Sequence, residues 1–333
     1  MIISQLPFQA VLVTGQADLA YLTGVRLEGY WMVMSSAGAT ILAPALLADH
    51  LRSLLPGIKV ISCANQIKGL AEFCRKSRIK ELAADPQKLT HSLWTRISAV
   101  QRMKAADSFL SATRMIKEPV ELEAIKQSCE LTVSAMEYAR DHLVTGITEI
   151  KIGYKIEEYF AKHNARIAFD PIVASGPNSA NPHHINSARK IEKNDVVLID
   201  IGCIFKGYCS DLTRTYFLGK MNNFQKRIFA LVRDAHDHAI AGVRAGMKAR
   251  AVDALARRFI AIAGYGKQFI HTTGHGVGID IHEPPRLGPS DRTVLKPGMV
   301  VTVEPGVYLP GSFGVRIEDT ILITEKGSEV LTQ

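Results

Sequence analysis

Short apolar runs alternate with amphipathic stretches over roughly the first 110 residues. AVLVTG, YWMVMSS, ATILAP and KVISC are brief and rich in β-branched and aromatic residues, and they predict buried strands. ALLADHLRSLL, NQIKGLAEFCRKS and LTHSLWTRISAVQRM predict helices between and after them. This alternation predicts a small α/β layer. Around SATRMIKEP the pattern changes, and Pro119 opens a long helix. Leu122, Ile125, Cys129, Val133, Met136 and Leu143 give that helix one buried face, and Gly146 is expected to cap it. IKIGYKIEEYFAKHN predicts the next helix. DVVLIDIG and GYCSDLTRTYFLG follow as strands, with CIFK as the short link of a hairpin. Helices return at NNFQKRIFALVRDAHDHAIAGV and AVDALARRFIAIAG, and strands at MVVTVEPGVY and GVRIEDTILIT. Helices followed by strands thus occur twice within residues 119–324. The expected architecture is a pseudo-twofold α+β domain over 114–333, preceded by a smaller α/β domain over 1–113.

Composition narrows the class. A chain of 333 residues, 47% hydrophobic and 22% charged, suits two globular domains. No apolar run approaches the roughly 18 residues needed to span a bilayer. MIISQLPFQAVLVTG lacks a basic stretch and a small-residue cleavage site, so it is read as part of the fold. Cys63, Cys74, Cys129, Cys203 and Cys209 contain no CxxC pair, which points to free thiols in a reducing cytoplasm. The net charge of +8 is scattered, with no basic run interleaved with aromatics, so no nucleic-acid partner is expected and no membrane partner either.

Chemistry concentrates in the last third of the chain. Asp200, Asp211, His275, Glu304 and Glu318 lie in VVLIDIG, CSDLTRTY, TTGHGVGI, VTVEPGVY and GVRIEDTI. Four carboxylates and one imidazole suit a pair of hard-to-borderline divalent cations, whose charge would nearly cancel theirs before a bridging hydroxide is added. Two hairpins can each place two carboxylates on one face, where they would serve ions about 3.5–4 Å apart. Taken singly, the aspartates could cap turns and the glutamates could form surface ion pairs. The apolar flanks VVTV, GVRI and TILI imply buried strands, however, and unpaired carboxylates are expensive there. His236 and His238, two apart on a helix, are expected to be solvent-exposed, and Cys203 and Cys209 to be packing residues.

These motifs, with FDPIVASGPNSANPHH, TGHGVGIDIHEPP and DLAYLTGVR, resemble the pita-bread metallopeptidases, in particular the Xaa-Pro branch of aminopeptidase P and prolidase. The resemblance covers essentially the whole chain. It implies a C-terminal pita-bread domain with a smaller N-terminal α/β domain, two divalent ions (Mn, Co or Zn), a proline-containing peptide or dipeptide substrate, and a homodimer. By the same resemblance Asp200 would hold one ion, Asp211 and Glu318 would bridge both, and His275 and Glu304 would complete the ligands of the second ion. Glu304 would also take a proton from the attacking water. His183 is preferred over its neighbour His184 as the histidine that assists the tetrahedral intermediate. His282 would contact the substrate carbonyl, and His271 and Arg316 would lie on the substrate side. As plain core residues, His271 and His282 would only satisfy hydrogen bonds, and Arg316 would only neutralise carboxylates. Three alternatives belong to the same fold: creatinase-like C–N hydrolases of a small non-peptide substrate, non-catalytic pita-bread binding modules, and methionine aminopeptidases, which share the metal ligands. The first two typically lack the full ligand set. The last usually lack such an N-terminal domain.

Overall fold

Alternation along the first strand sets the layers of the amino-terminal unit. In β1 (Ala10–Val13), Val11 and Val13 enter one apolar core while Ala10 and Leu12 enter another. The computed structural model describes residues 7–107 and 109–333, and it divides into units Met1–Thr113 and Arg114–Gln333. Of the amino-terminal segment read as part of the fold, residues 1–6 lie outside the described residues. With β2 (Trp31–Ser35), β3 (Gly38–Pro44), β4 (Lys59–Cys63), β5 (Leu82–Ala84) and β6 (Met103–Ala105), β1 forms a sheet of order β4-β3-β2-β1-β5-β6. α1 (Gln16–Thr23) and α2 (Ala45–Leu54) supply Leu19, Ala48 and Leu51 to the Val11 side. α3 (Gln66–Lys76) and α4 (His91–Ser98) supply Leu70, Cys74 and Ile97 to the other. The helix expected over LTHSLWTRISAVQRM therefore stops early, and Met103 belongs to a strand. Three-residue strands such as LAA and MKA carry no periodicity to reveal them. α5 (Phe109–Arg114) closes the series.

The second unit repeats one plan. Its first half runs α6 (Pro119–Asp141), α7 (Glu149–Lys162), β7 (Arg166–Ile167), β8 (Ile172–Ser175), β9 (Val196–Ile201), β10 (Cys203–Phe205), β11 (Tyr208–Cys209) and β12 (Leu212–Phe217). Its second half runs α8 (Asn223–Gly242), α9 (Ala249–Ile262), β13 (Gly274–Gly276), β14 (Glu283–Leu287), β15 (Val300–Val303), β16 (Gly306–Leu309), β17 (Phe313–Arg316), β18 (Asp319–Ile323) and β19 (Ser328–Val330). The halves match bond for bond ahead of their second helices. The Gly146 amide donates to the Ile191 carbonyl and the Gly246 amide to the Leu295 carbonyl. Thr148 bridges Lys190, and Lys248 bridges Val294. Gly146 is thus no helix cap. α6 ends at Asp141, and the positive φ of 92° at Gly146 serves the turn into that bridge.

Each half bends a long hairpin out of its sheet. CIFK is not a loop: β10 continues β9 past Gly202 and pairs with β11, Ile204 opposite Cys209. The turn lies at Lys206–Gly207, where both φ values are positive (49° and 87°), as a tight twisted hairpin requires. A Cβ at Gly202 would run into the Ser210 carbonyl, so glycine permits the bend. MVVTVEPGVY and GVRIEDTILIT are broken likewise, at Glu304–Pro305 and Ile317–Glu318, with Val303 opposite Asp319 before the break and Gly306 opposite Arg316 after it. His238 is exposed as expected, but His236 is buried. Its Nε2 stands 3.2 Å from Asp319 Oδ2, a carboxylate that the helix pattern of α8 alone could not announce. Among the described residues no helix is long and apolar enough to cross a membrane.

Candidate metal centre

The bends carry the carboxylates. Asp200 is the penultimate residue of β9, Asp211 immediately precedes β12, Glu304 follows β15, and Glu318 precedes β18. His275 is the middle residue of β13. Its neighbours Gly274 and Gly276 press against the Thr302 carbonyl and the Glu283 and Pro284 carbonyls, where no Cβ fits. All five donors line one cavity of about 650 Å³, a volume suited to a small-molecule site. His183, His271, His282 and Arg316 line the same cavity, so the structure brings together every candidate site residue.

His275 Nε2 lies 3.5 Å from Asp211 Oδ2 and 3.4 Å from Glu304 Oε1. Donor atoms of Asp211, His275 and Glu318 all fall within 4.8 Å of one another. Thr213 Oγ1 donates to Glu318 Oε2 at 2.6 Å, and Thr302 Oγ1 to Glu304 Oε1 at 3.2 Å. Asp200 Oδ1, Asp211 Oδ1 and Glu318 Oε1 are buried with no hydrogen-bond partner among the described residues. Buried oxygens left so are costly, and divalent cations are the partners that this oxygen-rich set fits. Burial, and then Glu318, Asp200 and Glu304, push the Asp211 carboxyl well above the usual carboxylate range. Burial with Glu304 and Asp200 does the same to Glu318.

Burial pulls His275 down to about 4, so its ring is neutral. Nδ1–H donates to the Gly276 carbonyl at 3.1 Å, which leaves the Nε2 lone pair facing Asp211 and Glu304. Burial also lowers His271 and His282. The His282 ring meets His275 edge-on at 4.3 Å.

Arg316 turns toward the protein. Nη2 pairs with Asp200 Oδ2 at 2.5 Å, Nη1 donates to Tyr308 Oη at 2.9 Å and to the Pro182 carbonyl at 3.3 Å, and Nε donates to Thr213 Oγ1 at 3.0 Å. Burial opposes its charge, but Tyr308, Asp200, Glu304 and Glu318 outweigh that and keep the guanidinium protonated. Tyr308 is the residue that sequence reasoning passed over. Burial pushes its hydroxyl up to about 12. Because it accepts from Arg316, it gives its own proton to His271 Nε2 at 2.9 Å, and His271 Nδ1–H then donates to the Thr272 carbonyl at 2.8 Å. The available signal was a tyrosine in EPGVY, whose hydroxyl needs a partner once the strand is buried. Phe169, Asp170 and Arg286 also line the cavity and carried no such signal.

The structure separates His183 from His184. His184 Nε2 bonds Glu149 Oε2 at 2.8 Å, in a cluster where Glu149 also accepts from the Ser175 and Ser187 amides, both of their hydroxyls, and Asn178. His183 alone of the pair lines the cavity. Burial opposes the charge of Glu149, yet the bonds from Ser175, Ser187, Asn178 and His184 hold its pKa down at about 2. Its folded value lies below the ordinary 4.5, so its stabilisation is present above pH 4.5 and lost as pH falls toward 2. Glu149→Gln is expected to cost on the order of 2–3 kcal/mol at pH 7 in denaturant unfolding, with the gap from wild type closing over that acid window.

Strand pairs bent at buried carboxylates, backed by paired helices, form a cavity whose donors suit divalent cations. Residues 123–325 match the model of metallopeptidase family M24. The chain is 37% identical over 331 residues to the Xaa-Pro dipeptidase of Pyrococcus furiosus, covering 97% of this chain and 93% of that protein. Among solved structures, an Xaa-Pro dipeptidase from Bacillus anthracis superposes with a TM-score of 0.93 at 33% identity, over 98% of this chain and 93% of that one. An X-Pro aminopeptidase from Thermotoga maritima superposes at 0.89 and 30% identity, over 99% and 97%. The chain belongs to metallopeptidase family M24, and its α+β fold is the pita-bread arrangement of those structures.

Proposed function

We propose that this metallopeptidase is a dinuclear exopeptidase that hydrolyses the bond before proline, in Xaa-Pro dipeptides or at the amino terminus of longer peptides. The observation that carries this reading is the convergence of Asp200, Asp211, His275, Glu304 and Glu318 on one cavity, with three buried carboxylate oxygens that have no donor among the described residues. The names of its relatives, Xaa-Pro dipeptidase and X-Pro aminopeptidase, supply the substrate class. Manganese, cobalt or zinc would suit the donors. When bound, two such ions would lower the pKa of a water and polarise the scissile carbonyl.

The chain's own groups then divide the work. Asp200 would hold one ion, Asp211 and Glu318 both, and His275 and Glu304 the other. Glu304 lies half-buried beside His275 and is the carboxylate assigned to receive the proton of the attacking water. His282 donates to the oxygen that develops negative charge, and His183, which lines the same cavity, assists the tetrahedral intermediate. Arg316 acts through Asp200, whose carboxylate it aims, and its charge leaves the assembled site room for one more negative group. His271 has both ring nitrogens engaged and offers substrate an apolar edge. An Xaa-Pro bond has no N–H to hold, so recognition must come from such shaped walls rather than from strand pairing.

The catalytic domain is assigned to 114–333 and the smaller α/β domain to 1–113. A homodimer in the cytoplasm completes the proposal; all five cysteines lie outside any disulfide, which suits that compartment. The test is to strip the protein with chelator, add back single metals, and offer Ala-Pro, Ala-Pro-Ala, Met-Ala-Ser and creatine. Metal-dependent cleavage of one or both proline substrates is expected. Preference for Met-Ala-Ser, or turnover of creatine without metal, would overturn the assignment. His183→Ala should lower kcat about 10²-fold with little change in Tm. His184→Ala should chiefly lower Tm.

A further inference from the structure

Among the described residues His282 makes no side-chain hydrogen bond, so its backbone must aim it. The loop that carries it, residues 277–282, is fastened on both sides of the histidine, at Asp280 within it and at Glu283, the first residue of β14. Two residues before it, Asp280 Oδ2 accepts from Arg114 Nη2 at 3.0 Å. One residue after it, Glu283 Oε2 accepts from the same nitrogen at 2.9 Å, while Glu283 Oε1 accepts from Lys117 Nζ at 2.7 Å. The side chains of Arg114, Lys117 and Glu283 are 3%, 1% and 3% exposed, so this is an ionic cluster in the interior. The Lys117 amide is itself tied to the Gly298 carbonyl, and Gly278 has no room for a Cβ because the Glu283 carboxylate fills that space.

Two cations and two anions make the cluster neutral, yet buried ion pairs seldom stabilise more than well-packed apolar groups of the same volume. What they add is direction. One guanidinium nitrogen fixes the distance between residues 280 and 283, and with it the path of the backbone on either side of His282. We propose that Arg114, Lys117, Asp280 and Glu283 form a clamp whose function is to position His282 against His275, with Glu283 its central positioning residue. The step from position to catalysis rests on the role given to His282 above. None of the four clamp residues lines the cavity.

The test uses the full chain loaded with manganese. Glu283→Gln, Asp280→Asn and His282→Ala are made singly, and each clamp variant is also combined with His282→Ala. For Ala-Pro, Glu283→Gln should lower kcat about 10- to 100-fold with manganese stoichiometry unchanged. In the His282→Ala background the same change should cost less than about threefold, because the residue it positions is already gone. An equal fold-loss in both backgrounds overturns the clamp. Asp280→Asn, which cuts one arm at a half-exposed carboxylate, should show a smaller loss with the same dependence on His282. It decides the matter if Glu283→Gln does not fold. A second readout is independent of substrate: crystal structures of the clamp variants should show the His282 ring displaced from His275, and an unmoved ring overturns the proposal. Displacement together with no Ala-Pro turnover by wild type would instead remove the functional reading and leave the clamp standing.

Discussion

Glu304→Ala is expected to lower kcat on Ala-Pro by on the order of 10³–10⁴-fold, beyond rescue by added metal. Two losses combine in this variant. On the proposed mechanism the carboxylate 3.4 Å from His275 Nε2 would no longer complete the donor set, and the group assigned to take the proton would be gone. His271 cannot substitute, because one ring nitrogen is held by a carbonyl and the other by the Tyr308 hydroxyl. Arg316 cannot either, being locked in its charged form. Steady-state kinetics with manganese titrated to saturation checks this. Cys203→Ala is the control and should keep most of its activity, since Cys203 is buried with the hydroxyls of Ser128 and Thr132 and lies off the cavity wall.

The second large effect has the opposite sign in the metal-free protein. Asp211→Asn should abolish hydrolysis yet raise the Tm of the apo form by a few degrees near pH 7.5. Burial and the neighbouring Glu318, Asp200 and Glu304 raise the Asp211 carboxyl above its unfolded value. A folded pKa raised above the unfolded one means that the native state binds the extra proton. Stability is then full below the ordinary carboxylate range and falls as pH rises toward the folded pKa. The amide removes that penalty. Bound ions reverse the sign for wild type, adding about 2.7 kcal/mol at a hundredfold excess over Kd, and the variant should lose most of that gain. Thermal melts of both proteins, stripped and reloaded, read this directly. An apo variant that melts below apo wild type would contradict the electrostatic account.

How much of this was legible in the chain differs by feature. Glu304 and Glu318 announced themselves because each interrupts a strongly apolar strand, where an unpaired carboxylate needs a reason, whereas Asp200, Asp211 and His275 were legible through the motifs that hold them. The same interruptions were misjudged as structure. CIFK looked like a link because it ends on the turn residue Lys206, with Gly207 next, while its first three residues extend the strand; the breaks at Glu304–Pro305 and Ile317–Glu318 fall inside runs that read as single strands. Gly146 has the residue type of a helix cap, but only the long-range bond to Ile191 reveals its use. Tyr308, Glu149 and the Arg114–Lys117–Glu283 cluster were silent for a shared reason. Each works through partners between 26 and 169 residues away, or through a register that neighbouring sequence does not encode. His236 was misplaced on those grounds too, since its carboxylate partner lies on β18.

Anomalous diffraction from crystals soaked in manganese tests the central claim most directly. Two peaks are expected in the cavity, both contacted by Asp211 and Glu318, one with Asp200 and the other with His275 and Glu304. A cavity without anomalous signal at saturating manganese, or ions bound only at the surface, would contradict it.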